Sequence, residues 1–177
     1  LLNVPAKMEA AMETALGGSL QHIVVKSERH GRACIQYLKE HRLGRATFLP
    51  MDVIRPRALL SGDHERLAKE KGFVGLGIDL VQFDDTYRHI VASLLGQVIV
   101  AESLPDANNI AKLLNYRYRV VTLDGDVVNP GGSMSGGSRQ RQRANLLGRK
   151  RELEQLERQI IESDREKNCL AKEIEQY

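Results

Sequence analysis

The chain has 177 residues, of which 42% are hydrophobic and 28% charged, and its formal net charge is +3. This balance is typical of a soluble globular protein and argues against an intrinsically disordered chain. No apolar run approaches the roughly 18 residues of a membrane-spanning helix, and the amino end lacks the layout of a signal peptide. The two cysteines, Cys34 and Cys169, are expected as free thiols in a reducing, cytoplasmic setting.

A helix with a glycine stop is predicted near the amino end, because residues 6–16 follow Pro5 and run into Gly17-Gly18. Apolar runs and helical periodicity predict the elements that come next. They are a strand at 22–25, a helix at 29–41, a strand at 46–49 and a linker at 50–62.

The same order of elements returns after residue 63. The predicted elements are a helix at 85–95, a strand at 98–100, a helix at 105–115 and a strand at 119–123. Residues 45–54 also match residues 119–128 at a constant offset of 74, with Arg, Leu, Asp and Val in register. We therefore predict a mixed α/β fold with two related subdomains, residues 1–62 and 63–138, in which helices cover a sheet.

Residues 129–138 form the most unusual stretch, because they contain the paired glycines Gly131, Gly132, Gly136 and Gly137. Such pairs indicate a backbone that adopts positive φ or that lies very close to something else. A phosphate, another part of this chain and a second copy of the chain are the three candidates. The stretch nearly fits the phosphate-loop pattern G-x-x-x-x-G-K-[ST], but Gly137 stands where the lysine belongs. Close packing of backbone against backbone is therefore favoured over nucleotide binding.

The third predicted segment, residues 139–177, begins with a cluster of cations that contains no acidic residue. Its members are Arg139, Arg141, Arg143, Arg149, Lys150 and Arg151. Such a cluster suits phosphate contacts, and a solvated helix start is the alternative interpretation.

A coiled-coil helix is predicted from Leu146 onwards, because seven of ten heptad a and d positions up to Tyr177 are apolar. One narrow apolar seam cannot bury itself, so a partner helix is expected.

No catalytic or metal site is predicted. The five histidines show no ligand spacing, and no nucleophile comes with a recognisable base. Asp52 and Asp126 fit turn-capping roles better than acid–base chemistry. Residues 116–119, Tyr-Arg-Tyr-Arg, suit stacking on single-stranded bases, and the start of a strand is the alternative.

Four segments carry a resemblance to a known family. They are ALGGSLQHIVV (15–25), RLGRATFLPMDVIRPR (42–57), LLGQVIVAESLPDA (94–107) and RVVTLDGDVVNPGGSMSGGS (119–138). Together they make the chain similar to the hinge domain of bacterial, Bacillus-like SMC (structural maintenance of chromosomes) proteins.

This resemblance implies a hinge that joins two copies into a ring-like homodimer, with Gly131, Gly132, Gly136 and Gly137 at the contact. It implies an antiparallel coiled coil, in which residues from 142 onwards form the returning arm and an outgoing arm precedes residue 1. ATP hydrolysis in this family belongs to distant head domains, so no cofactor and no enzymatic activity are expected of these residues.

The predicted function is a homodimerisation hinge for chromosome condensation and segregation, cytoplasmic and associated with the nucleoid. The cluster from Arg139 to Arg151 is predicted to bind DNA without sequence preference. A nucleotide-binding protein that uses the glycine stretch, and a purely structural dimerisation module without DNA binding, are the alternatives.

Overall fold

The computed structural model describes residues 2–137, 153, 155–165 and 167. The chain divides into two compact units, Leu1–Arg139 and Gln140–Tyr177. The helices of the first unit are α1 (Glu9–Leu16), α2 (Glu28–Glu40), α3 (Asp63–Leu67), α4 (Arg88–Leu95) and α5 (Leu104–Leu113). Its strands are β1 (Leu2–Asn3), β2 (Ile23–Val25), β3 (Phe48–Pro50), β4 (Phe73–Leu76), β5 (Gln82–Phe83), β6 (Val98–Ala101), β7 (Arg119–Thr122), β8 (Val127–Val128) and β9 (Met134–Ser135).

The core is built on a five-stranded sheet with the order β4-β6-β7-β8-β9. β6 and β7 are parallel, and the other neighbouring strands are antiparallel. Residues on a strand alternate between the two faces, so Ile99 and Val120 pack with α5 while Val100 and Val121 face the other side. Both sets are buried, and α1 contacts β7, so helices cover the sheet on both sides. This explains why β6 is apolar throughout, and why Val120, Val121 and Thr122 of β7 are all buried rather than alternating with exposed residues.

A second, smaller sheet pairs β2 and β3 in parallel, and α2 packs against it. Ser27 caps α2 by accepting the His30 N–H at 3.4 Å. The carboxylate of Asp52, for which turn-capping was predicted, accepts the Glu28 N–H at 2.9 Å and so caps the first turn of α2 from 24 residues along the chain. Gly31 is the one residue of α2 that is fully buried, so this helix exposes most of its surface.

The predicted repeat of element order is present in the first unit. Helix, strand, helix and strand occur as α1-β2-α2-β3 and again as α4-β6-α5-β7, and the strands of each half pair in parallel. Ser27 and Ser103 cap the second helix of each half in the same way. The division at residue 62 stays a prediction, because α1 packs on β7 and the Arg119 side chain donates to the Ala15 carbonyl at 3.2 Å.

The predicted linker is held firmly against the second half. The Arg57 N–H donates to the Ala92 carbonyl at 3.3 Å, and the Gln97 side chain donates to the Ala58 carbonyl at 2.8 Å. A Cβ at Gly96 would overlap the carbonyl oxygen of Arg57, so glycine is required where the linker crosses the end of α4.

The second unit is described by itself. Residues 155–165 are helical, as the heptad pattern predicts, and the side chains of Leu153, Leu156 and Ile160 on the predicted seam are exposed. The polar seam positions Ser163 and Lys167 are exposed as well, and Leu146, Arg149, Leu170, Ile174 and Tyr177 lie outside the described residues. Over the described part of the chain, no helix is both long and apolar enough to span a bilayer.

Candidate dimer interface

The glycine stretch forms the tight connection of a β-hairpin between β8 and β9. The Asn129 N–H donates to the Ser133 carbonyl at 2.8 Å, and the Gly132 N–H donates to the Asn129 carbonyl at 2.9 Å. Gly131 and Gly132 adopt φ of 84° and 93°, a region that residues with a Cβ rarely adopt. Glycine at these two positions is therefore required by the turn itself.

Tyr116 contacts this turn through both its backbone carbonyl and its ring. Its carbonyl accepts the Gly131 N–H at 2.9 Å, and a Cβ at Gly132 would lie 3.6 Å from its ring. Tyr116 itself has a φ of 51° and follows Asn115 at 52°. Two consecutive non-glycine residues in the left-handed region raise the free energy of the backbone. Such strain persists where the surrounding structure holds the backbone in that conformation.

Asp126 holds the other end of the hairpin. Its Oδ1 accepts the Gly137 N–H at 3.3 Å, and the same oxygen occupies the place that a Cβ at Gly136 would take. Gly137 adopts a φ of 136°. At each of the four predicted interface glycines, a positive φ or a close neighbour within this chain thus explains why the residue is glycine. Their contact with a second copy stays a prediction.

The same geometry argues against a phosphate site in the stretch. Met134 and Ser135 form β9 and pair with β8, so these residues do not form the loop of free N–H groups that cradles a phosphate. The carboxylate of Asp126 lies against Gly136 and Gly137, where it would repel an anion.

β9 presents an open edge. It is the last strand of the five-stranded sheet, and among the described strands it pairs with β8 alone. The Met134 side chain is 61% exposed, and it lines a shallow hollow together with Leu104, Gly136 and Gly137. An unprotected strand edge beside apolar side chains is a template for pairing with another chain.

β2 is another edge strand, as are β1, β3, β4 and β5 among the described strands. Among the described strands it pairs with β3 alone, and Ile23 at its start is 46% exposed. Gly18, in the turn that leads to β2, is unusual among the described glycines: it lacks a positive φ, and an added Cβ would have no atom within 4 Å. Nothing in the described part of the chain requires glycine there.

The base-stacking interpretation of residues 116–119 is wrong. Tyr118 is buried, and its hydroxyl donates to Asp63 at 2.9 Å while it accepts the Leu60 N–H. The Arg117 guanidinium pairs with the same carboxylate at 3.3 Å. These side chains attach α3 and the linker to β7, so they are not available to a base.

The remaining predicted site residues are the cations from Arg139 to Arg151, and all of them lie outside the described residues. Within the described part, no group of three or more His, Cys, Asp and Glu side chains could hold a metal ion. The contacts of Tyr116 with the glycine turn and of Asp126 with Gly137 were not predicted from the sequence, and neither were the exposed positions Gly18 and Ile23. The Gly-Gly pair before β2, similar to those at β9, was the available signal.

A family model for the SMC proteins Flexible Hinge Domain matches residues 1–111. The chain belongs to the SMC hinge family. The Chromosome partition protein Smc of Bacillus subtilis (strain 168) is 48% identical to this hinge over 174 residues, which are 98% of the chain and 15% of that protein. The protein of the same name from Methanocaldococcus jannaschii is 45% identical over 131 residues, 73% of the chain and 10% of that protein. The hinge therefore spans about a seventh or less of these relatives.

Solved hinge structures share the fold. An asymmetric dimer of the Geobacillus stearothermophilus SMC hinge domain is 52% identical, with a TM-score of 0.81, and the match covers 93% of this chain and 66% of that one. The Pyrococcus furiosus Smc hinge domain with an extended coiled coil is 30% identical, with a TM-score of 0.65, over 98% of this chain and 60% of that one. The predicted mixed α/β hinge fold is confirmed.

Proposed function

We propose that this hinge joins two copies of a chromosome partition protein into a homodimer, in which β9 of each copy lies along β2 of the other. The observation that carries this proposal is that two of the edge strands of this unit, β9 and β2, each follow a Gly-Gly pair. β9 follows a turn built from glycines, and β2 follows the unexplained glycine Gly18.

Pairing β9 with β2 would join the five-stranded sheet of one copy to the two-stranded sheet of the other. A two-stranded sheet such as β2–β3 is marginally stable alone, and a third strand would cover its exposed Ile23. Met134 would become buried at the same contact. Because β9 and β2 lie on different parts of one unit, a twofold axis repeats the contact and yields two equivalent seams. The Geobacillus relative, described as an asymmetric dimer, supports self-association.

The mass of the chain across a concentration series tests this function. Sedimentation equilibrium is expected to give twice 19.8 kDa at high concentration and to shift towards the single mass on dilution. A chain that keeps the single mass at every concentration would contradict homodimerisation.

DNA binding at the cluster from Arg139 to Arg151 is the second part of the proposal. Six cations without an intervening acid would contact phosphates, so binding is expected to be independent of sequence. Each duplex phosphate contact adds about −0.9 to the slope of log K against log salt. We expect the triple change of Arg139, Arg141 and Arg143 to Glu to weaken duplex binding and to flatten this slope by about 3.

The control reverses the same number of charges elsewhere. Changing the exposed Lys69, Lys71 and Lys112 to Glu gives the same net charge, so it separates local contact from overall repulsion. Equal duplex affinity for the two triple variants at low salt would support the purely structural alternative.

In the full-length protein, the unit from residue 142 onwards would be the returning arm and would pair with the outgoing arm of the same chain. We assign no catalysis to this hinge, and the ATPase of the whole protein would lie in its heads. Its place would be the cytoplasm, at the nucleoid. The nucleotide-binding alternative is disfavoured by the carboxylate of Asp126 beside Gly137.

A further inference from the structure

We propose that the exposed Tyr37–His41 pair on α2 is a stacking site for a base of single-stranded nucleic acid. Neither residue of this pair belongs to β2 or β9, and neither is one of the cations between Arg139 and Arg151. The site differs from these cations in kind, because it would contact a base rather than phosphates alone.

The two rings form a preorganised platform. Their centroids lie 4.0 Å apart with an interplanar angle of 26°, and the Nδ1–H of His41 can donate to the Tyr37 carbonyl at 2.9 Å. The imidazole therefore covers one face of the phenol ring and limits its rotation. A rigid aromatic side chain loses little conformational entropy when a flat ligand stacks on it.

The platform is exposed and is not required by the core. Tyr37 is 55% exposed and His41 is exposed as well. The face of α2 that turns inward is marked by Gly31, Cys34 and Leu38, and Tyr37 lies about 100° around the helix from Leu38. More than half of the Tyr37 side chain is therefore open to solvent beside its contact with His41.

The charge around the platform suits a polyanion. Residues 28–45 contain the cations Arg29, Arg32, Lys39, Arg42 and Arg45 against the acids Glu28 and Glu40. Glu28 already pairs with Arg32 at 2.7 Å, and Glu40 accepts a hydrogen bond from Gln36. Among the described residues, no carboxylate lies within ion-pair distance of Lys39, Arg42 or Arg45. Unpaired cations beside an aromatic platform are the combination that binds single strands.

The alternative occupant is an acidic polypeptide, which would also be attracted by these cations. The stacked rings favour nucleic acid, because every base offers a flat π-face while acidic side chains offer none. An experiment that varies the bases and keeps the phosphates distinguishes the two.

The test measures binding of the full chain to two fluorescent 15-mers at low salt, one of thymidines and one of abasic residues with the same number of phosphates. We expect tighter binding of the thymidine strand. Tyr37→Leu keeps an apolar side chain and the helix, and it should weaken thymidine-strand binding at least fivefold, or about as much as the loss of one stacked base. It should leave abasic-strand binding unchanged, and Tyr37→Phe should restore the preference for bases.

Three outcomes would overturn the proposal. The unaltered chain could bind both strands equally, Tyr37→Leu could weaken both strands alike, or a polyglutamate peptide could bind in a Tyr37-dependent way while the thymidine strand does not. The variant with Arg139, Arg141 and Arg143 changed to Glu shows whether the preference for bases depends on the phosphate-binding cations. That variant should lower the affinity for both strands and retain the preference for bases.

Discussion

Replacing Met134 by Ser is expected to weaken the dimer and to leave the single subunit folded. The side chain stands on the open edge of β9 and is 61% exposed, so its removal creates no cavity in the subunit. Burying a whole methionine side chain contributes about 1.5–3 kcal/mol, so covering the exposed 61% contributes about 0.9–1.8 kcal/mol at each contact.

Twofold symmetry counts this loss twice, which gives about 2–4 kcal/mol for the dimer. Since 1.4 kcal/mol is a factor of ten, the dissociation constant should rise about 20- to 400-fold. Sedimentation equilibrium over a matching concentration range measures this change, and circular dichroism verifies that the fold is kept.

The matched control is Leu43→Ser, because Leu43 is 60% exposed and lies on neither open edge. We expect it to dimerise like the unaltered chain. If Met134→Ser leaves the dissociation constant unchanged, or if Leu43→Ser raises it equally, the β9 edge is not the contact and the reasoning fails.

Two glycine substitutions test the packing of the subunit in opposite directions. Gly96→Ala should destabilise by about 1–3 kcal/mol, because its Cβ would overlap the Arg57 carbonyl and would lie 2.5 Å from the Ala92 carbonyl. Gly31→Ala should stabilise by up to about 1 kcal/mol, because it lies inside α2 and its Cβ would meet Val25 at an ordinary 3.7 Å. Urea unfolding of both variants measures these changes, and a loss of stability in Gly31→Ala or none in Gly96→Ala would show that the local contacts are misjudged.

Local patterns in the sequence predicted most of the element order. The buried strands β6 and β7 appear as apolar runs, and α5 appears as a periodic helix after the cap Ser103. The short strands β1, β4 and β5 were not predicted, because two to four residues of mixed polarity carry little periodic signal.

The details of the site depend on contacts between residues far apart in sequence, and these contacts are not visible in a local pattern. The sequence left Tyr118 either as a base-stacking residue or as the start of a strand, and its burial on Asp63, 55 residues earlier, could not be read from it. The resemblance placed the glycines at a contact with a second copy, which stays a prediction, and neither Tyr116 near Gly132 nor Asp126 against Gly136 could be seen in the sequence. Both contacts arise only when β7, β8 and β9 lie side by side.

The most direct test of the proposed dimer mixes two variants, Met134→Ser and Ile23→Ser, which each alter a different open edge. Each variant alone would form a dimer with two damaged seams. A mixed dimer would carry one intact seam and one seam damaged on both sides, and losses at touching residues are not additive.

Sedimentation equilibrium of the mixture is therefore expected to show tighter dimerisation than either variant shows alone. If the mixture is no tighter than the variants, or if Ile23→Ser dimerises like the unaltered chain, β9 of one copy does not lie along β2 of the other.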